Sequence, residues 1–250
     1  MYGLQFDEIQ KKDYHQQGRF QLAGAPLVLD GQWDDFIPDT ELQAQYVETS
    51  ACATFGTLNA VETLERRIFG EAKNWSDRFL AQRAGTTPLG NSPHKVAETL
   101  RKGGDVFESD WPTAGQDSWE KFYQNPPYEL VVDAQTKFRG QYDFGHSWVS
   151  TDPTSMKLAL QHSPLGVDVQ AWGTKDSDGR YRREGASNHW VMCYGYNPGR
   201  YWKILDTYDN SRKKLRWDYG FSMVKQYTLS RQVLDNSLWG KAIRWLQQFI

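Results

Sequence analysis

The chain has 250 residues, with 29 basic and 31 acidic side chains and a formal net charge of −2, so no nucleic-acid or membrane binding driven by net charge is expected. Its 39% hydrophobic and 24% charged residues are ordinary for a globular protein long enough to bury a core. No apolar run approaches about 18 residues, and no apolar segment follows a basic one near the start, so we expect no transmembrane helix and no secretory signal.

Residues 50–103 carry the sequence patterns of three helices. The first is amphipathic because apolar side chains recur every three or four residues; Thr49 or Ser50 is its expected cap and Gly70 its expected end. "NWSDRFLAQRAG" predicts a second, shorter helix capped by Ser76, and "SPHKVAETLRKGG" predicts a third. The apolar stripe of the first helix consists of Phe55, Leu58, Val61, Leu64 and Ile68.

From about residue 127 the pattern changes to strands and turns. Four segments rich in β-branched and aromatic residues predict strands: "YELVVDAQ", "LGVDVQAW", "NHWVMCYGY" and "RYWKILDTY". The polar segment "TKDSDGRYRREGASN" predicts a hairpin or an exposed loop, and its "DSDG" at 176–179 favours a tight turn over a calcium loop. "DPTSMKLALQHSP" interrupts the strands with a short helix.

These patterns predict an α+β protein with a single domain over residues 1–250. The helical half spans about 45–126, and the β-rich half spans about 127–235 together with an N-terminal strand at 20–44. A helix is expected at 236–250. The groove between two such halves is the default place for a functional site.

One cysteine stands where its chemistry could change. Cys52 lies just after the expected cap of the first helix, whose dipole favours a thiolate. Taken alone, however, it is better explained as a buried structural cysteine. Cys193 lies within a predicted strand and is expected to fill the core. With only these two cysteines, free thiols in a reducing compartment are the simpler expectation.

A histidine and an aspartate further along the chain could complete a site around that thiol. His189 begins a predicted strand, and Asp206 follows the end of the next one. Because two strands joined by a turn bring the chain back to its starting edge, Asp206 can accept a hydrogen bond from the His189 ring and fix its tautomer. His146 is a rival imidazole, but no carboxylate downstream of it is placed to orient its ring.

The combination resembles the papain-like cysteine proteases over roughly residues 33–230. "NHWVMCYGY" and "YWKILDTYD" are similar to the "NHAV-VGYG" and "YW-IKNSWG" segments of that family, and "DDFIPDTELQAQ" is similar to its N-terminal crossing strand. His189 follows Cys52 at a spacing within the roughly 130–150 residues of papain-type enzymes. The resemblance implies a helical subdomain and an antiparallel β-barrel-like subdomain with a groove between them.

The resemblance also implies roles for residues of this chain. Cys52 would be the nucleophile, His189 its acid–base partner, and Asp206 the orienting group, where the family usually has Asn. The backbone N–H of the cysteine and the side chain of Gln45 would form the oxyanion hole.

Some of the implied positions depart from the family pattern. Gln45 is one residue further from the cysteine than in the family, and Gln43 or the Thr49 hydroxyl could substitute for it. Tyr208 takes the place of the family's tryptophan beside the orienting residue. Tyr208 and Asn188 are therefore candidates for the groove.

The expected function is that of a cysteine peptidase cleaving peptide or isopeptide bonds in a peptide or protein substrate, without metal or cofactor. One alternative is a peptidoglycan hydrolase of the same fold. Another is a weak or inactive domain that serves as a structural or binding component of a larger assembly, such as a virus or phage particle, in contact with its other subunits. The expected location is cytoplasmic, or virion-associated if the protein is phage-encoded.

Overall fold

A computed structural model of the chain describes residues 3–9 and 25–232. The helices are α1 (Cys52–Phe69), α2 (Asp77–Arg83), α3 (Pro93–Gly103), α4 (Trp119–Phe122), α5 (Tyr128–Ala134) and α6 (Pro153–Leu160). The strands are β1 (Tyr142–Trp148), β2 (Leu165–Val169), β3 (His189–Asn197), β4 (Tyr201–Leu205), β5 (Arg212–Arg216) and β6 (Val224–Arg231). The helix predicted at 236–250 lies outside the described residues.

Helix α1 is a buried central helix of the fold and has no solvent-exposed face over most of its length. Its residues from Cys52 to Glu65 are all buried, polar ones included. The helix ends at Gly70 as predicted, in the left-handed conformation that glycine adopts without strain. Its N-cap is Ala51, with no side-chain cap, so the prediction of Thr49 or Ser50 as cap is wrong. The Thr49 hydroxyl instead donates to the backbone carbonyl of Gln43.

The two following helices begin as their sequences predict. The Ser76 side chain caps α2 by accepting a hydrogen bond from the Phe79 N–H, and the Ser92 side chain caps α3 in the same way. Capping side chains of this kind satisfy backbone donors that the first turn of a helix leaves without partners.

The segment "YELVVDAQ" is helical, and its prediction as a strand is wrong. It forms α5, which continues into a π-helical turn at Gln135–Arg139. Ala134 and Phe138, four residues apart, are its buried positions, and Ala134 packs with Phe79 and Val106. Packing on one helical face therefore overrides the β propensity of the two valines. The strands begin only at Tyr142.

Six strands form one antiparallel sheet in the order β1-β6-β2-β3-β4-β5. The predicted strands at β2, β3 and β4 are present, and "DPTSMKLALQHSP" forms α6, with Asp152 as its cap. Residues 25–44 contain no strand, so the strand predicted at 20–44 is absent from this part, and residues 20–24 lie outside the described residues. The only regular element within 25–44 is a 3-10 turn at Asp34–Phe36. Loop contacts hold this segment, including a hydrogen bond from Trp33 Nε1 to the Leu160 carbonyl.

Helix α1 crosses the sheet mainly over β3. A glycine permits the close approach, because a Cβ at Gly56 would meet the Trp190 side chain at 3.0 Å and its carbonyl oxygen at 3.1 Å. The first turn of α1 is thereby held against the start of β3. Among the residues that the structure describes, no helix is both long and apolar enough to cross a membrane.

Candidate active site

The start of β3 and the end of β4 place His189 beside Asp206. The two strands pair with Met192 opposite Leu205, so the residue after Leu205 lies close to the first residues of β3. His189 Nε2 is 2.8 Å from Asp206 Oδ1, and both residues are fully buried. This contact uses Nε2, so a thiol would have to be served by Nδ1.

The Asp206 carboxylate receives four hydrogen bonds. Its Oδ1 accepts from His189 Nε2 and from the backbone N–H of Tyr208 at 3.1 Å. Its Oδ2 accepts from Trp172 Nε1 at 2.8 Å and from Lys213 Nζ at 2.6 Å. Burial acts to raise the pKa of Asp206, but the hydrogen bonds and charges of His189 and Lys213 outweigh it and hold the pKa below its ordinary value. The carboxyl is therefore ionised.

The Cys52 thiol lies at the first residue of α1 and is fully buried. Burial raises its pKa to about 12, although backbone N–H groups of Trp190 and Ala53 donate toward the sulfur and lower it. The negative charges of Glu48 and Asp206 raise it further. Because Trp190 directly follows His189, the thiol lies beside the start of β3. In this arrangement the thiol is protonated.

Two aromatic rings pack edge-on against His189. Tyr208, a predicted groove residue, has its ring centroid 5.7 Å from the imidazole. The ring of Trp172 lies 6.2 Å away, and its indole N–H bonds Asp206. Trp172 was not singled out from the sequence, because it follows β2 in the chain and only the fold brings it here. Together the rings restrict the orientation of the imidazole.

Two glutamines are candidates for the oxyanion hole, and they differ in burial and in hydrogen bonding. Gln45 is exposed and lines an open cavity of about 620 Å³ together with Tyr46. Gln43 is buried, and its Oε1 accepts from the Thr207 hydroxyl at 2.6 Å, one residue after Asp206. Gln43 Nε2 has no hydrogen-bond acceptor among the described residues. A buried amide donor without an acceptor is costly, and an oxyanion is the kind of partner that would satisfy it.

The N-terminal segment, residues 3–9, lies across this site. Leu4 N–H donates to the Asn188 carbonyl at 3.3 Å. Asn91, just before α3, pairs with the segment in parallel: its N–H donates to the Gly3 carbonyl, and its carbonyl accepts from the Gln5 N–H, both at 2.9 Å. Asn188, a predicted groove residue, is therefore in contact with the N-terminal segment. The segment bonds to the helical half at Asn91 and to the β-rich half at Asn188.

The same segment packs apolar side chains against the cluster that contains the thiol. Leu4 and Ile9 pack against a buried cluster that consists of Cys52, Trp148, Trp190 and Met223. No local sequence pattern predicts this contact, which joins residues far apart in the chain. The thiol is therefore enclosed from both the protein side and the groove side.

The remaining polar candidates lie elsewhere or are part of turns. His146 Nε2 is 2.8 Å from Glu98 Oε1, and burial together with the charge of Lys225 lowers the pKa of His146 to about 3. The Asp176 carboxylate accepts from the N–H of Asp178 and of Arg180, which makes "DSDG" a turn. No cluster of three or more His, Cys, Asp or Glu side chains in the described ranges could hold a metal ion.

Cys193 lies in the main hydrophobic core, as its strand position predicts. Burial raises its pKa to about 12. It differs from Cys52 in its surroundings, since it packs in the main core and its thiol donates a hydrogen bond to the backbone carbonyl of Gly195, at 3.6 Å.

No model of a known protein family and no curated protein matches the sequence. Solved structures do match. Xylellain, a cysteine protease from Xylella fastidiosa, is 16% identical over 92% of this chain and 95% of that chain, with a TM-score of 0.66. Digestive procathepsin L 3 of Tenebrio molitor larval midgut is 16% identical over 82% of this chain and 71% of that chain, with a TM-score of 0.60.

The bromelain protease from Ananas comosus, in complex with the E64 inhibitor, is 17% identical over 80% of this chain and 98% of that chain, with a TM-score of 0.56. At such identities the likeness establishes the fold. This chain has the α+β fold of the papain-like cysteine proteases, and that prediction is confirmed.

Proposed function

We propose that this protein is a cysteine peptidase that cleaves peptide or isopeptide bonds with Cys52 as nucleophile, His189 as acid–base partner and Asp206 as orienting group. The observation that carries the proposal is the 2.8 Å bond between His189 Nε2 and Asp206 Oδ1, directly beside the residue whose N–H donates to the Cys52 sulfur. A nucleophile, a base and a group that orients the base are the three parts that acyl transfer needs.

In this reaction the Cys52 thiol passes its proton to His189 and its sulfur attacks the carbonyl carbon of the scissile bond. The imidazolium then protonates the leaving amine, and a thioester remains on Cys52. Water, deprotonated by His189, hydrolyses the thioester and regenerates the thiol. The buried Nε2 of Gln43, with the backbone N–H of the cysteine, supports a role for Gln43 in binding the oxyanion, and Gln45 is the second candidate.

Catalysis requires a change from the arrangement described above. Leu4 and Ile9 pack against the cluster that contains Cys52, and burial raises the pKa of its thiol. A substrate carbonyl can reach the sulfur only when the N-terminal segment leaves the groove. Water that enters at that point reduces the burial that raises the thiol pKa.

The enclosure of Cys52 also favours a second candidate function, a non-catalytic domain within a larger assembly. In that case the Cys52 thiol would be a buried core side chain, and residues 3–9 would stay packed against its cluster. The two functions differ in a measurable property, which is the reactivity of Cys52 relative to that of Cys193.

Labelling with iodoacetamide, followed by peptide mass spectrometry, tests the proposal. Movement of residues 3–9 would uncover Cys52, whereas Cys193 stays within the main hydrophobic core. We therefore expect Cys52 to be alkylated at least about tenfold faster than Cys193, and Cys52→Ala to abolish hydrolysis of casein. Cys193→Ala is the matched control and should retain activity. Equal and slow alkylation of both thiols, with no hydrolysis of casein or of purified peptidoglycan, would favour the non-catalytic function. Hydrolysis of peptidoglycan alone would identify the substrate as a cell-wall peptide.

A further inference from the structure

A lysine points inward from the edge strand β5. Burial alternates along this strand, with Lys213 and Leu215 buried and Lys214 exposed. The Lys213 side chain is only 7% exposed. An ammonium group is buried in proteins only with compensating partners, so the contacts of this one indicate what it does.

The partners of Lys213 are concentrated at the end of β4. Its Nζ lies 2.6 Å from Asp206 Oδ2 and 2.7 Å from each carboxylate oxygen of Asp209, and it also bonds the Ser211 hydroxyl. The Trp172 ring, with its centroid 4.9 Å away, covers it. Asp206 is thus shared: one oxygen holds the imidazole of His189, and the other holds an ammonium.

This sharing changes the charge that His189 experiences. A carboxylate alone at 2.8 Å would strongly favour the protonated ring, and it would also oppose a negative charge on the thiol. An ammonium on the other oxygen of the same carboxylate acts in the opposite sense on both groups. Asp206 and Lys213 together then present a fixed acceptor oxygen with less net negative charge than a lone carboxylate, although the ammonium is shared with Asp209.

Other titratable and charged groups also face the site. Tyr208 follows β4 and packs on His189, Glu48 precedes α1 and acts on the thiol of Cys52, and Asp209 is the second partner of Lys213. The Asp209 side chain is 56% exposed, so solvent screens its charge. None of these three supplies a positive charge, which leaves Lys213 as the ammonium that touches the Asp206 carboxylate.

We propose that Lys213 is a positioning residue for the catalytic pair: it fixes the Asp206 carboxylate against His189 and offsets part of the negative charge that the imidazole faces. The inference rests on the proposed function for its catalytic meaning. The electrostatic part concerns His189 and Asp206 alone and is measurable without substrate.

Replacement of Lys213 by Met keeps the length of the side chain and removes its charge. Loss of a nearby positive charge makes proton release harder, so we expect the NMR titration midpoint of the His189 ring to move up by about one pH unit. The rate of Cys52 alkylation depends on the protonation of both the thiol and His189. Both inflections of its pH profile should therefore also move to higher pH. Lys214→Met, on the exposed face of the same strand, is the matched control and should move neither.

The sign of the shift separates charge from structure. Asp206→Asn removes a negative charge from beside the ring and leaves the ammonium paired with Asp209 alone, so its shift should be downward, and the double variant Asp206→Asn/Lys213→Met should return close to the wild-type midpoint. Lys213→Arg should retain the wild-type profile. A Lys213→Met variant that is folded by circular dichroism but shows no shift overturns the proposal, as does a shift of the same sign in both single variants. If Lys213→Met does not fold, Asp206→Asn decides the question, because an unchanged midpoint in that variant also overturns the proposal.

Failure of the proposed function is a separate result. If Cys52 reacts no faster than Cys193 in the wild type while the His189 midpoint moves as expected, the peptidase proposal fails and the electrostatic role of Lys213 stands. If Cys52 is activated and the inflections of its alkylation profile do not respond to Lys213→Met, the role of Lys213 fails alone.

Discussion

At the scale of single residues, the two glutamines before α1 offer a sharp comparison. Gln43 has a buried Nε2 without an acceptor among the described residues, and its Oε1 bonds Thr207, the neighbour of Asp206, whereas Gln45 is exposed. We expect Gln43→Ala to lower kcat by about 10²–10³-fold with little change in KM, which is the typical cost of losing one oxyanion donor. Gln45→Ala should change kcat by less than about threefold. Steady-state kinetics on a peptide substrate measures both, and the reverse ranking would assign the oxyanion role to Gln45.

Some residues of the candidate site are predictable from the sequence and others are not. Cys52, His189 and Asp206 were identifiable because each begins or follows a regular element with a clear pattern. Lys213 and Trp172 were not, because a lysine in "RKKLR" is ordinarily solvated and its inward direction depends on which face of β5 packs inside. Only Leu215, two residues further along the strand, hints at that direction.

At the scale of elements, the N-terminal segment packs against the cluster that contains the Cys52 thiol, and we expect it to limit access to the sulfur. Gly3 has a φ of 79° and lies so close to Ser50 that a Cβ would come within 2.2 Å of the Ser50 carbonyl oxygen. We therefore expect Gly3→Val to displace residues 3–9 and raise the rate of Cys52 alkylation at neutral pH by about tenfold or more. Glu8→Ala, in the same segment, is the control. An unchanged rate in Gly3→Val would mean that the segment does not limit access.

Elements were predictable where their own pattern is strong. The apolar spacing of α1 and the aromatic strands β2 to β4 have such patterns. The segment Tyr128–Ala134 was predicted as a strand because it contains two consecutive valines. It is helical, and the contacts of Ala134 with Phe79 and Val106 that favour the helix are long-range. The contact between residues 3–9 and Cys52 is also long-range, and no local pattern encodes it.

At the scale of the whole molecule, buried acids set the pH dependence of stability. Burial raises the pKa of Glu62, Asp77 and Asp105 well above the ordinary range, and none of them forms an ion pair within the described residues. Their folded-state pKa exceeds the unfolded one, so their protonation favours the folded state at acidic pH, and this contribution declines as the pH rises above the unfolded value near 4. At higher pH each of these buried carboxyls either ionises in its buried position or keeps a proton that it would release in the unfolded chain. Both outcomes lower the free energy of unfolding.

We therefore expect Tm to be on the order of 5 °C higher at pH 5 than at pH 8 by differential scanning calorimetry. Below about pH 4 the trend should reverse, because Asp206 and Glu98 have depressed pKa values and lose their partners on protonation. Glu62→Gln removes one of the buried acids and should flatten the alkaline decline. A Tm that rises from pH 5 to pH 8 in the wild type would contradict this account.

The cover over Cys52 has a consequence for the chemical durability of the protein. A thiolate, rather than a thiol, is the form that peroxides attack, and attack also requires access. With Leu4 and Ile9 in the groove and its pKa raised to about 12, Cys52 lacks both conditions. We therefore expect the burial that keeps substrate from the sulfur to slow its oxidation as well, until residues 3–9 move away.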